Sequence, residues 1–109
     1  MQSYVTVRRH RKAARLAQRE LAELLSITQG QVSRIEAGEP PTATHLVSLM
    51  IIFGAHPSQL FGRYWTDVGE EVLRRAAELE RKLGGNTRNA QRKRAFLRDI
   101  IGRVAVTPA

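Results

Sequence analysis

Between Gln18 and Gly38 the chain reads QRELAELLSITQGQVSRIEAG, and its apolar positions fall into two short groups separated by a break. Leu21, Ala22, Leu24 and Leu25 recur at the three- and four-residue steps that place side chains on one helical face. Gln18, Arg19, Glu20 and Glu23 fill the other face. After the break, Val32 and Ile35 are the inward residues of a second helix, expected from Gln29 to Ala37. Thr28 stands where a side-chain oxygen caps the first free amides. Gln29, Gly30, Gln31, Ser33 and Arg34 then face outward, so this helix presents a polar, amide-rich side.

The same periodicity organises the rest of the chain. Ser3 is placed to cap a first helix running to about Ala14, with Val7 and Ala14 inward and Arg8, Arg9, Lys12 and Arg15 forming a basic face. His10 has no second metal-type residue at a helical step and reads as a partly buried, hydrogen-bonded histidine. Gly38 stops the outward-polar helix, and Glu39-Pro40-Pro41 makes a stiff loop. Thr42 caps a fourth helix through Phe53, whose Leu46, Leu49, Met50, Ile52 and Phe53 mark it as the core helix. Gly54 ends it, His56 or Ser58 opens a short fifth helix, and Leu60 and Phe61 close the core. Arg63-Tyr64-Trp65-Thr66 reads as a junction. A sixth helix is expected from Asp67 to Leu83, with Val68, Val72, Ala76, Leu79 and Leu83 at alternating steps of four and three, a coiled-coil-like seam. Gly84-Gly85 ends it. A seventh, from about Thr87 to Val104, puts Phe96, Leu97, Ile100, Ile101 and Val104 opposite Arg88, Arg92, Lys93, Arg94 and Arg98. The expected fold class is therefore all-α: a five-helix domain over residues 1–65 and an extension of two amphipathic helices over residues 66–109.

Charge changes this picture more than composition does. The 109 residues carry a formal net charge of +8, which implies a polyanionic partner. Residues 1–65 contribute +4, residues 66–85 contribute −1 and residues 86–109 contribute +5, so both ends are basic around a balanced middle. There is no cysteine, which excludes disulfides and thiolate metal sites. No apolar run approaches bilayer-spanning length, and no signal-peptide core follows the basic start, so a cytoplasmic, non-membrane protein is expected. Nothing in the sequence resembles an active site: there is no Ser/His/Asp or Cys/His set, no phosphate-cradling glycine loop and no clustered carboxylates, so no catalytic residue, cofactor or metal is expected.

Arg11, Gln18, Leu21, Ala22, Ile27, Val32, Ile35, Glu36 and Gly38 stand in the register of a known pattern. Pro41, Thr42, Leu46, Leu49, Phe53, Gly54 and Leu60 extend it to about residue 61. On these residues the chain resembles the Cro/C1, or XRE-type, helix-turn-helix family, whose domain is lambda-repressor-like. The resemblance implies double-stranded DNA binding, with the helix from Gln29 to Ala37 in the major groove. It also implies that Arg11 and Glu36 meet in a forked structural ion pair. Gln18 is carried over as a phosphate-backbone contact. Arg19, Thr28 and Thr44 join it near phosphate, since Thr28, like Gln18, opens a helix whose free amides and positive dipole end favour anions. Glu39 weakens the path by Thr44 and His45. Base reading falls to Gln29, Gln31, Ser33 and Arg34. Of these, Gln29 and Arg34 match base-contacting positions of the family, and Gln31 and Ser33 read equally well as solvated surface. Arg15 departs from the pattern, which often has a glycine there. Gly30 either lets the helix approach the bases closely or is unconstrained.

The two C-terminal apolar stripes need cover. A homodimer interface is favoured over folding back, because one recognition helix reads few base pairs and a two-fold dimer would read a palindromic operator with half-sites roughly 34 Å apart. The expected function is a sequence-specific transcriptional regulator, a repressor or control protein. The competing reading is an antitoxin or adaptor whose helices from Asp67 to Val104 bind a partner protein. RNA binding is disfavoured by the scarcity of exposed aromatics.

Overall fold

A computed structural model describes residues 6–105, all of whose regular elements are helices. In chain order these are α1 (Thr6–Ala13), α2 (Gln18–Leu25), α3 (Gln29–Glu36), α4 (Ala43–Phe53), α5 (Pro57–Leu60), α6 (Gly62–Lys82) and α7 (Arg88–Ala105). The chain divides into two compact units, residues 1–65 and 66–109. The Ser3 cap lies outside the described residues.

The first unit is built on Val7, Leu21, Leu25, Val32, Leu49 and Leu60, with Leu46, Met50, Ile52 and Phe53 packed against them. Burying each such side chain contributes about 1.5–3 kcal/mol. Turn chemistry sets the helix ends. Thr28 and Thr42 accept the Gln31 and His45 amides as N-caps, and the His56 ring opens α5 by accepting from Ser58 N. His56, rather than Ser58, is thus the cap. Gly38 and Gly54 leave their helices at positive φ, 116° and 58°, where an L side chain is strained. Ser26 and Arg15 do the same without being glycines, at φ 59° and 63°. Arg15 therefore occupies the left-handed position that the family pattern gives to glycine.

Two inward expectations fail here. Ala14 is exposed, and its place is taken by Arg11, whose stem is buried with its head paired. Leu24 is 56% exposed, because an eight-residue helix packed on α3 and α4 covers only the arc holding Leu21, Ala22 and Leu25. His10 is partly buried and hydrogen-bonds the Thr6 carbonyl through Nδ1 at 2.8 Å, with Phe53 beside its ring. The Thr6 hydroxyl donates to the Leu60 carbonyl, joining the two ends of the unit.

The expected junction at Arg63-Tyr64-Trp65-Thr66 is helical. No Pro interrupts it, and the backbone passes from α5 into α6 through Phe61 with the Trp65 amide bonded to the Phe61 carbonyl at 2.8 Å.

In the second unit the seam differs from the expected one. Gly69, Ala76, Ala90 and Leu97 are buried, while Val68, Val72, Leu79, Phe96 and Ile101 are exposed. The reason is steric. A β-carbon on Gly69 would stand 2.8 Å from a Val104 methyl, so α6 and α7 approach closely over small residues, and Val68, Val72, Leu79, Phe96 and Ile101 are left outside the contact. Of the expected stripes, Ala76 and Leu97 are buried and Leu83, Ile100 and Val104 partly so. Thr87 caps α7 by accepting the Ala90 amide at 3.1 Å. Glu80 and Arg98 pair across the hairpin at 2.9 Å. Arg74 holds the Glu71 carboxyl below its ordinary carboxylate value by donating a hydrogen bond to it.

Candidate nucleic-acid interface

The site grows outward from a buried ion pair. Arg11 Nε donates to Glu36 Oε2 at 2.6 Å and Nη2 donates to Oε1 at 3.2 Å. The side chains are only 9% and 4% exposed. Nη1 donates to the Leu16 carbonyl at 2.8 Å, so the guanidinium also fixes the turn between α1 and α2. A forked contact of this kind sets orientation as well as distance. It fastens the end of α3 to α1.

The network continues to the surface. Gln18 Nε2 donates to Glu36 Oε1 at 3.0 Å, and Gln29 Nε2 donates to Gln18 Oε1 at 3.4 Å. Four side chains from three helices thus run in series from the interior to the exposed start of α3. Gln18 is held at both ends of its amide. The sequence pattern signals Arg11, Glu36 and Gln18 one by one, but not their connection to Gln29.

Gln29, Ser33 and Arg34 are exposed on the outward side of α3. Gln31 is partly buried and does something else: its Oε1 accepts from the Thr28 amide at 2.9 Å while Thr28 Oγ1 accepts from the Gln31 amide at 3.1 Å. This reciprocal capping box fixes the first turn of α3 and occupies both side chains. The neighbouring Ala17 at the start of α2 has no side-chain acceptor, and Glu20 supplies its half alone by accepting the Ala17 amide at 2.7 Å. Arg19 and Thr44 are exposed, and the Thr44 carbonyl accepts from the Ser48 hydroxyl at 2.9 Å. Arg34 Nε lies 3.4 Å from Glu39 Oε1, both more than half exposed. Such a contact is screened by water and easily exchanged for another partner. A β-carbon on Gly30 would meet nothing closer than Thr28 Oγ1 at 3.8 Å, so the protein itself leaves room for a side chain there.

Chemically this is a surface of amides, a hydroxyl and a guanidinium on one short helix. Glutamine and arginine are the side chains that pair bidentately with adenine and guanine in the major groove. Arg8, Arg9 and Lys12 add an exposed cationic patch on α1. Among the described residues no cluster of three His, Asp or Glu is placed to hold a metal ion, and no helix is long and apolar enough to cross a membrane.

Residues 7–60 match the family described as Helix-turn-helix. No match was found among curated proteins or among solved structures. The match spans α1 to α5 and includes Arg11, Gln18, Gln29, Arg34 and Glu36. Through this domain the chain belongs to the Cro/C1-type helix-turn-helix family of DNA-binding transcription regulators.

Proposed function

We propose that the chain is a sequence-specific transcriptional repressor that reads double-stranded DNA with α3 in the major groove, two copies occupying a palindromic operator. The observation that carries this reading is the bonded series Arg11, Glu36, Gln18, Gln29, which presents an oriented amide at the surface. Gln29 and Arg34 read bases, with Ser33 beside them. Gln31 acts through the helix start. Gln18, Arg19, Thr28 and Thr44 lie along the phosphates, where contacts orient the protein without carrying sequence information. The two copies are brought together on the operator, since the inner seam of α6 and α7 is already used within one chain.

Selection of bound duplexes from a random pool tests this. The expected result is a motif with dyad symmetry and half-sites roughly 34 Å apart. Gln29→Ala and Arg34→Ala should each relax preference at one base position by about 1–3 kcal/mol. Arg19→Ala should weaken all sequences alike. A pool that enriches no motif would overturn the reading.

A second reading, an antitoxin or adaptor whose α6–α7 unit engages a partner protein, is favoured by one observation. Val68, Val72, Leu79 and Phe96 remain in solvent.

A further inference from the structure

The hairpin of α6 and α7 leaves a strip of apolar surface that its own packing does not use. Val68, Val72 and Leu79 are 44%, 37% and 50% exposed and fall on one side of α6, beside the inner seam. Phe96, 57% exposed, extends the strip onto α7. There Leu79, Leu83, Phe96 and Leu97, with Arg92 and Lys93, line an open groove of about 450 Å³, a size that admits a few side chains.

The edges of the strip are cationic. Arg75 and Lys82 stand at three- and four-residue steps from Val72 and Leu79 on α6. Arg92 and Lys93 stand beside Phe96 on α7, and the Arg103 guanidinium lies 5.4 Å from the centre of the Phe96 ring. Three acids lie among them at helical steps, Glu71, Glu78 and Asp99; Glu71 is already paired with Arg74 and Arg75, so the five cations remain in excess. Lys82, Arg92 and Lys93 have no ion-pair partner among the described residues.

This pattern selects an occupant. A two-fold contact between copies sets the same patch against itself, so like charges would line both edges, an arrangement that disfavours association. DNA would satisfy the cations but leave the apolar groove in water. A lipid surface suits protruding apolar groups rather than a recess. We infer that the α6–α7 groove receives an amphipathic helix from a partner protein, with leucine-type side chains seated between Leu79 and Phe96 and carboxylates along both flanks facing Arg75, Lys82, Arg92 and Lys93. This inference concerns the second unit and does not depend on how α3 reads DNA.

The test titrates the full chain into a fluorescein-labelled synthetic helical peptide carrying leucines at one face and glutamates on both flanks, read by anisotropy. Saturable binding is expected, weakened at least about tenfold by Phe96→Ser and by the pair Arg92→Glu and Lys93→Glu. The same peptide with lysine for glutamate should bind no better than a scrambled sequence. Phe96 is more than half exposed and Arg92 and Lys93 are exposed, so circular dichroism should show unchanged helix. Absence of binding, or equal binding of the glutamate and lysine peptides, overturns the inference. So does a sedimenting dimer that Phe96→Ser dissociates, which identifies a second copy as occupant. Capture on phosphatidylserine vesicles that Phe96→Ser abolishes, without peptide binding, would identify lipid instead.

Discussion

Replacing Glu36 with alanine removes one end of the interior ion pair and leaves the other in place. The Arg11 guanidinium loses both carboxylate bonds and keeps only the Leu16 carbonyl, in a site where the residue is 8% exposed. The Gln18 amide loses its acceptor as well. Removing one member of a buried pair typically destabilises by about 3–5 kcal/mol, because a charge is stranded where water cannot reach it. A domain of 60–70 residues has only about 3–10 kcal/mol of stability at roughly 0.05–0.15 kcal/mol per residue, so much of it would be lost. At about 4–8 °C per kcal/mol for a domain of this size, the melting temperature should fall by at least about 12 °C. The single tryptophan, Trp65, sits in the first unit with its ring 4.8 Å from that of His56, so its fluorescence during urea or thermal unfolding follows that unit. The informative companion is the double variant Arg11→Met with Glu36→Leu. Replacing both charges with apolar groups removes the stranded ion, and such replacements are often neutral or stabilising. The double variant should therefore melt well above Glu36→Ala. If Glu36→Ala loses less than about 1 kcal/mol, or if the double variant is no more stable than the single one, the pair is not the desolvated clamp that its distances describe.

Other perturbations separate structural from reading roles. Arg15→Gly should raise stability by about 1 kcal/mol, since a left-handed residue with a β-carbon at φ 63° is relieved; a lowered melting temperature would count against that strain. Gly30→Ala should stabilise α3 by roughly 1 kcal/mol because the added methyl has room. Gel-shift affinity of the same variant then shows whether the bare backbone is needed against the bases. Glu39→Gln should tighten DNA binding several-fold at low salt, by releasing Arg34 and removing an anion beside α3; unchanged affinity would mean that the exposed contact at 3.4 Å exerts no hold. Gly69→Ala should destabilise the second unit by about 1–3 kcal/mol, because the new methyl would overlap Val104 at 2.8 Å, and far-ultraviolet melting of the full chain should show an early loss of helix.

How much of this was legible in the residues depended on whether the pattern was local. Caps and stops were: Thr28, Thr42, Gly38 and Gly54 do their work within four residues, and the structure shows them doing it. The Arg11–Glu36 pair was legible only through family resemblance, since nothing in the spacing of two residues 25 apart announces a contact. The seam of the second unit was misread for a physical reason. Heptad reasoning ranks positions by apolar size, whereas α6 and α7 meet where Gly69, Ala76 and Ala90 let them come close, a choice governed by volume at the contact. The second role of Gln31 was hidden in the same way, because a glutamine three residues after a threonine is both an outward amide and half of a capping box.

The hydroxyl of Thr6 on the Leu60 carbonyl has a practical corollary. The family match begins at Val7 and ends at Leu60, one residue inside this clasp. A fragment trimmed to those limits keeps every side chain proposed to contact DNA yet leaves the last carbonyl of α5 without its donor and the fully buried Val7 at a charged, fraying amino terminus. Anyone isolating the helix-turn-helix domain for spectroscopy should begin upstream of the matched segment.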